Sequence, residues 1–261
     1  MFRKRTPAKK RAFLAPEGTR LYAIGDVHGR ADLLEDLLEV IVRDDAARET
    51  RDSTIIFLGD LVDRGPDSAA VVARVRALCA EAGVARLVKG NHDHVLIKAA
   101  RGDAQAAKVL LGIGGLPTLL SYGITEEEAG RGTHQDLADL IEQRLPRDDV
   151  AFLERGEDMI LLGDYLFVHA GIRPGVALAD QKISDLYWIR EPFLSSEIDH
   201  GVLVIHGHSV TQSIEEQPNR IGIDTGAYSS GTLSAIGIEG DRRWFLDASR
   251  QADSTDAAPQ Q

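Results

Sequence analysis

Five short stretches of this chain carry side chains that can hold a metal ion or move a proton. GDVHG (25–29) offers Asp26 and His28, two residues apart. GDLVDRGP (59–66) offers Asp60, Asp63 and Arg64, and GNHD (90–93) offers Asn91 and His92. HAGI (169–172) brings His169, and HGHS (206–209) brings His206 and His208. The donors are oxygen and nitrogen, with no thiolate. That set suits manganese, iron or zinc held by carboxylate and imidazole, rather than a structural thiolate zinc site. A carboxylate can bridge two such ions, and a pair about 3.5–4 Å apart polarises a phosphoryl group and activates water together. Each stretch alone is weak. Asp26, Asp60 and Asn91 equally suit turns and helix caps, and His169 equally suits a satisfied core histidine. Asp63 and Arg64 could be a surface ion pair of little value. Caps, however, do not call for histidine at the neighbouring positions, so the joint pattern argues for one constellation.

Strands must deliver these groups. Residues 20–25 read as a buried strand, and the apolar positions Leu34, Leu37, Leu38 and Ile41 repeat at helical spacing behind GDVHG. Ser53 to Leu58 is a second strand, running straight into GDLVDRGP. Pro66 suits the first turn of the next helix and Gly83 its end, with Val71, Val75, Leu78 and Ala82 as the inward stripe. Val84 to Val88 is a third strand, ending in GNHD. Strand, helix, strand, helix, strand implies a parallel sheet. A mostly helical region spans about residues 94–155, and its acidic EEEAGRGTHQD stretch reads as a surface excursion. Met159–Leu162 and Tyr165–Val168 flank a two-residue turn and read as a hairpin. Further strands are expected at 202–205, 220–223, 233–238 and 242–245, the last two joined at Gly240. The expected fold is α/β, a sandwich of two mixed β-sheets flanked by helices. In such sheets ligands gather beyond the carboxyl ends of the strands, where all five stretches fall.

The 261 residues suffice for one large domain, and no internal repeat or linker divides them. We expect a single domain at 19–247, with disordered tails at 1–18 and 248–261. No apolar run approaches the roughly 20 residues of a membrane span, and MFRKRTPAKKR lacks the apolar core of a signal peptide. The single cysteine, Cys79, rules out an internal disulfide framework; it lies beside the helical stripe and reads as an inert thiol. A cytoplasmic protein is the expectation. Net charge is −11, and the basic first eleven residues leave the remainder still more acidic. Such a body argues against a nucleic-acid-binding surface. The oligomeric state is not legible.

GDVHG, GDLVDRG, GNHD, HAG and the late GH, in this order over residues 20–245, resemble the metallo-dependent phosphoprotein phosphatase family of the calcineurin-like phosphoesterase superfamily. The HAGI, WIRE and IDTGA segments, at His169, Trp188 and Ile223, are similar to bacterial members of serine/threonine protein phosphatase type. The resemblance implies two divalent ions, manganese first, with iron or zinc as alternatives. It implies that Asp26, His28 and Asp60 hold one ion, and that Asp60 bridges to a second completed by Asn91, His169 and His208. It implies direct attack on phosphorus by a water or hydroxide between the ions, with no phosphoenzyme. His92 would protonate the leaving oxygen, Asp63 would orient His92, and Arg64 and Arg190 would grip the phosphoryl oxygens, as the planar guanidinium suits. No role is assigned to His94, His134 or His200; His206 and Tyr228 stay open.

Two features point to different substrates. Many protein phosphatases of the family read GNHE, whereas Asp93 makes this GNHD, common in diadenosine tetraphosphate hydrolases. Those hydrolases usually lack the aspartate found here as Asp63. With more weight on Asp63, the first expectation is a phosphatase acting on phosphoserine or phosphothreonine in proteins, or on small phosphate esters. The alternative is a symmetrical dinucleoside tetraphosphate hydrolase.

Overall fold

The computed structural model describes residues 12–250. Most of the two expected tails lies outside this range. The ten strands are β1 (Thr19–Ile24), β2 (Asp52–Phe57), β3 (Ala85–Leu87), β4 (Met159–Leu162), β5 (Tyr165–Val168), β6 (Leu203–His206), β7 (Glu215–Glu216), β8 (Arg220–Gly222), β9 (Thr232–Glu239) and β10 (Arg242–Ser249). They form two sheets of five, ordered β10-β9-β1-β2-β3 and β4-β5-β6-β8-β7. In the first, β1, β2 and β3 run parallel and β9 joins β1 antiparallel. In the second, β5, β6 and β8 run parallel, and β4 pairs antiparallel with β5 across the turn at Gly163 and Asp164. Both sheets are mixed, as expected.

Side-chain alternation along the strands builds three apolar layers. Leu21, Ala23, Ile56, Leu58, Ile236 and Ile238 on the first sheet's side meet Tyr165, Phe167, Ile205 and Ile221 of the second. The opposite faces of the same strands carry Tyr22, Ile24 and Phe57 into the helices that cover the first sheet. Those are α1 (Ala31–Ala46), α2 (Ser68–Ala80) and α3 (Asn91–Ala99), extended by α4 (Ala104–Gly112), α5 (Leu116–Ser121), α6 (Glu126–Ala129), α7 (His134–Arg144) and α8 (Arg147–Glu154). Outside the second sheet, Leu166, Val168 and Val204 pack on Leu186, Tyr187 and Phe193, of and beyond α9 (Ile183–Trp188). A last short helix, α10 (Ala227–Ser230), precedes β9. The order helices, sheet, sheet, helix is the architecture expected from the sequence.

Several boundaries differ. Residues 12–18 are expected within a disordered tail, yet Ala15 is buried, its N–H donates to Gly240 O at 2.9 Å, and Leu14 N donates to Asp164 Oδ2 at 3.0 Å. Phe13 and Ala15 add to the inter-sheet core, which ties this segment down. At the other end β10 runs two residues past the expected limit of 247, because its pairing with β9 continues to Ser249 opposite Thr232. Helix α2 stops at Ala80 rather than near Gly83: Glu81 is extended, so Ala82 leaves the inward stripe. Cys79 is half-buried, and burial pushes its thiol up to about 11, in keeping with an inert side chain. Among the described residues the largest fully buried side chain is Arg20, whose guanidinium joins Glu239 Oε2 and Asp45 Oδ1, each at 2.7 Å, and so ties β1 to β9 and to the end of α1. Among the described residues no helix is long and apolar enough to cross a membrane.

Candidate metal centre

Six parallel strands, three in each sheet, end at one site. Beyond β1 come Asp26 and His28; beyond β2, Asp60, Asp63 and Arg64; beyond β3, at the first turn of α3, Asn91 and His92. Beyond β5 comes His169, beyond β6 His208, and beyond β8 Asp224. The connections are forced into unusual backbone shapes. His28, Asp60, Asp63, Arg64 and His208 all have positive φ, between 46° and 72°, and they are the only non-glycine residues with positive φ among those described. Two glycines make room. A Cβ on Gly90 would stand 2.1 Å from Asp60 Oδ1, and one on Gly207 would stand 2.0 Å from Asp26 Oδ1.

Asp60 occupies the middle. Its Oδ2 lies 3.4 Å from His169 Nε2, 3.6 Å from His28 Nε2 and 3.9 Å from His92 Nε2. Its Oδ1 accepts the His92 N–H at 2.9 Å. Two buried groups share it: His28, Asp60 and His92, and Asp60, His169 and His208. The ring orientations are set from behind. His28 Nδ1 lies 2.7 Å from Val62 O and His169 Nδ1 lies 2.8 Å from Leu58 O, which directs both Nε2 atoms at Asp60. Burial pushes His28 down to about 3, and burial with the nearby His169 charge does the same to His208. Both rings are therefore neutral, as ligands must be. The buried Nε2 of His208 has no hydrogen-bond partner, an expensive state unless something else takes that lone pair. Burial opposes ionisation of Asp60, but the charges of His169 and His92 outweigh it and hold the carboxyl well below its usual range. The neutral rings of His28 and His208 beside an ionised carboxylate, with the orphaned His208 nitrogen, fit divalent metal.

The remaining expected residues take distinct places. Asn91 Oδ1 sits 2.9 Å from His169 Nε2, inside the second group. Asp26 is buried but stands outside both three-residue groups; it accepts the His208 N–H at 3.0 Å and lies beside the Asp224 carboxyl. His92 lies within the first group, yet its nitrogens are engaged elsewhere. Nδ1 bonds Asp63 Oδ2 at 2.7 Å, and Nε2 faces Arg64 Nη2 at 3.2 Å. A guanidinium at that nitrogen is incompatible with a cation bound there. Asp63 is fully buried, and its other oxygen accepts from Thr118 Oγ1 at 2.8 Å. Arg64 also lies over the Tyr228 ring, 4.6 Å from its centroid. Arg190 is exposed at the rim, and its charge reaches His208.

The acidic surface excursion forms α6 and α7; α7 and the following α8 pack against α4 and α3. The groups reaching the site from the helical region lie just upstream: Thr118, and Gly114, whose carbonyl accepts the Arg64 N–H. Asp93 has a structural role. It is fully buried, its oxygens accept the Leu61 and Gly90 N–H groups, and it ties the β2 loop to the start of α3. His206 is buried against Phe193, outside both groups. The site residue that the sequence reading passed over is Asp224, in the IDTGA segment. Its Oδ1 accepts from Gly226 N, its Oδ2 is buried without a partner, and it presses on Asp26. The signal was available, an acid one residue past an apolar strand, as at Asp26.

The family model of the calcineurin-like phosphoesterases matches residues 19–229. A symmetrical bis(5'-nucleosyl)-tetraphosphatase of Janthinobacterium sp. (strain Marseille) is 34% identical over 154 residues, 59% of this chain and 44% of that protein. An asymmetrical bis(5'-nucleosyl)-tetraphosphatase of Bacillus velezensis is 28% identical over 155 residues, 58% of this chain and 55% of that one. These matches span about half the length of either relative. Among solved structures, a candidate diadenosine tetraphosphatase superposes with a TM-score of 0.63 at 24% identity, over 91% of this chain and 98% of its own. A protein serine/threonine phosphatase of Saccharomyces cerevisiae superposes at 0.56 and 14% identity, over 92% and 82%. At such identities the superpositions speak for the fold alone. With the family model spanning most of the sandwich and all but the last strand pair, the chain belongs to the calcineurin-like phosphoesterases.

Proposed function

We propose that this protein is a metal-dependent hydrolase of dinucleoside polyphosphates. Asp26, His28 and Asp60 would hold one divalent ion, and Asp60, Asn91, His169 and His208 a second, of manganese, iron or zinc. When bound, such a pair supplies positive charge to a phosphoryl oxygen and makes water a nucleophile near neutral pH. The chain's own residues do the rest. His92 holds a proton at Nε2 for the leaving oxygen, and the Asp63 carboxylate, 2.7 Å from Nδ1, accepts the other ring N–H, orients the ring and favours its protonated form. Arg64 leaves His92 to grip the phosphoryl group, with Arg190 across the rim. No step calls for a covalent phosphoenzyme. The lone Cys79 fits a cytoplasmic setting.

The observation that carries the substrate class is the kinship with tetraphosphatases of both symmetrical and asymmetrical type. The sequence alone ranks phosphoserine and phosphothreonine first, on the strength of Asp63. That phosphoprotein reading stays second for one reason. The intact Asp63–His92 pair helps most with a poor leaving group such as an alkoxide. Rates on diadenosine tetraphosphate and on a phosphoserine and phosphothreonine peptide panel decide between them. We expect the dinucleotide to have the higher kcat/KM; a phosphopeptide better by tenfold or more would overturn the proposal.

A further inference from the structure

Exposed aromatic rings are few on this chain. Among the described residues they are Trp188, 42% exposed, Tyr228, 38% exposed, and Phe245. Two of these three stand against the metal centre. The Trp188 ring lies 6.2 Å from that of His208, and the Tyr228 ring lies 5.4 Å from that of His28, both edge to face. His28 and His208 belong to different histidine groups, joined through Asp60. Each group therefore has one aromatic ring at its rim.

The local structure holds both rings out. Trp188 is the last residue of α9; its neighbour Tyr187 is buried in the outer core with its hydroxyl on Asp158, so Trp188 turns the other way. Tyr228 rides on the single turn of α10, entered through the left-handed Gly226. Val210, two residues beyond His208 and itself 49% exposed, packs beside Gly226. Each ring also has an arginine at hand. Arg64 lies over Tyr228, and Arg190 follows Trp188 by two residues and acts on His208. An arginine beside an exposed aromatic suits a phosphate attached to a flat heterocycle, since the guanidinium takes the anion while the ring stacks. A phosphopeptide carries no obligatory ring beside its phosphate. A dinucleoside polyphosphate carries one at each end of its phosphate chain.

We propose that Trp188 and Tyr228 are the two base-stacking residues of the substrate site, one for each nucleoside flanking the scissile phosphates. This rests on the dinucleotide reading above. The test compares Trp188→Ala, Tyr228→Ala, Trp188→Phe and Tyr228→Phe with wild type, and uses Phe245→Ala, remote from the centre, as control. Two substrates are used: diadenosine tetraphosphate, and inorganic tetraphosphate, which has the phosphate chain without bases. Calorimetry with a methylene-bridged, uncleavable dinucleoside tetraphosphate gives Kd directly. Each alanine variant should raise KM and Kd for the dinucleotide by about 5- to 100-fold, the range for losing one base–aromatic stack. Its loss on inorganic tetraphosphate should be at least fivefold smaller. The phenylalanine variants should recover most of the loss, and Phe245→Ala should move neither substrate. If wild type neither binds nor cleaves the dinucleotide better than inorganic tetraphosphate, the dinucleotide reading falls and takes this inference with it. If wild type prefers the dinucleotide but the alanine variants lose equally on both substrates, the stacking assignment alone is wrong.

Discussion

Replacing Asp63 by Asn isolates what its charge does. The side chain is fully buried between two partners, His92 Nδ1 at 2.7 Å and Thr118 Oγ1 at 2.8 Å. Asparagine is isosteric: its carbonyl can accept the His92 N–H, and its amide can donate to Thr118, whose hydroxyl hydrogen then turns to Ser68 Oγ, 2.9 Å away. The fold and the tautomer are kept, and only charge assistance is lost. A hydrogen bond to a charged group contributes about 1.5–3 kcal/mol against about 1 for a neutral one. The difference, about 0.5–2 kcal/mol, corresponds to roughly 2- to 30-fold in rate if the imidazolium form is needed in the rate-limiting step. His92 also titrates differently. Burial lowers its pKa, but the Asp60 charge and the Asp63 bond outweigh this and raise it above the ordinary imidazole value. A general acid works below its pKa, so wild-type activity persists upward in pH until His92 deprotonates. Without the Asp63 charge that pKa drops, and the alkaline limb of the kcat profile should move to lower pH. The assay is steady-state kinetics across pH on an alkyl phosphate and on p-nitrophenyl phosphate, whose leaving group needs little protonation. The loss should be concentrated on the alkyl ester. Equal losses on both esters, with an unmoved alkaline limb, would refute the assignment of His92 as proton donor.

Other substitutions probe the same frame. Asp60→Asn should abolish turnover and reduce bound metal from about two ions per chain, with circular dichroism unchanged; full metal content by elemental analysis would contradict its shared position. Asp224→Asn keeps the bond to Gly226 but alters the group behind Asp26, so manganese affinity by calorimetry should fall about 10- to 100-fold, as for other outer-shell partners of metal ligands, while thermal stability holds. Arg20→Ala strips a buried pair and leaves Glu239 only Arg242. Unfolding should come about 3 kcal/mol sooner, the low end for breaking a buried ion pair, or roughly 6–12 °C in Tm for a domain of this size.

The sequence was most legible where strand ends coincide with chemistry. Asp26, His28, Asp60, Asn91, His169 and His208 each follow a short apolar run, and period-two alternation places such residues at the edge of a sheet without further information. Less visible was which sheet β9 and β10 would join. Leu233 to Ile238 is apolar on both faces, and only the open edge of β1 decides where it pairs. The two-residue β7 has no pattern to read. Asp93 pointed the same way as the tetraphosphatase relatives, and the greater weight on Asp63 pointed away from them; the contacts of Asp93 with Leu61 and Gly90 exist only in three dimensions. Asp224 was quoted within IDTGA yet left without a role, since a carboxyl that lies against another carboxyl has no marker in local sequence.

The five left-handed residues of the centre have a consequence for how this chain can change over generations. At each of His28, Asp60, Asp63, Arg64 and His208 glycine would relieve backbone strain on the order of 1 kcal/mol. Each is also a proposed ligand, acid–base partner or phosphate-gripping residue. Drift toward an easier backbone is therefore drift away from chemistry. A library of variants screened for thermal tolerance alone would feel the strain and not the chemistry at these positions, and would return robust, inactive proteins. The same library screened for turnover would keep the strain, and the difference between the two outcomes would mark the centre without any structure at all.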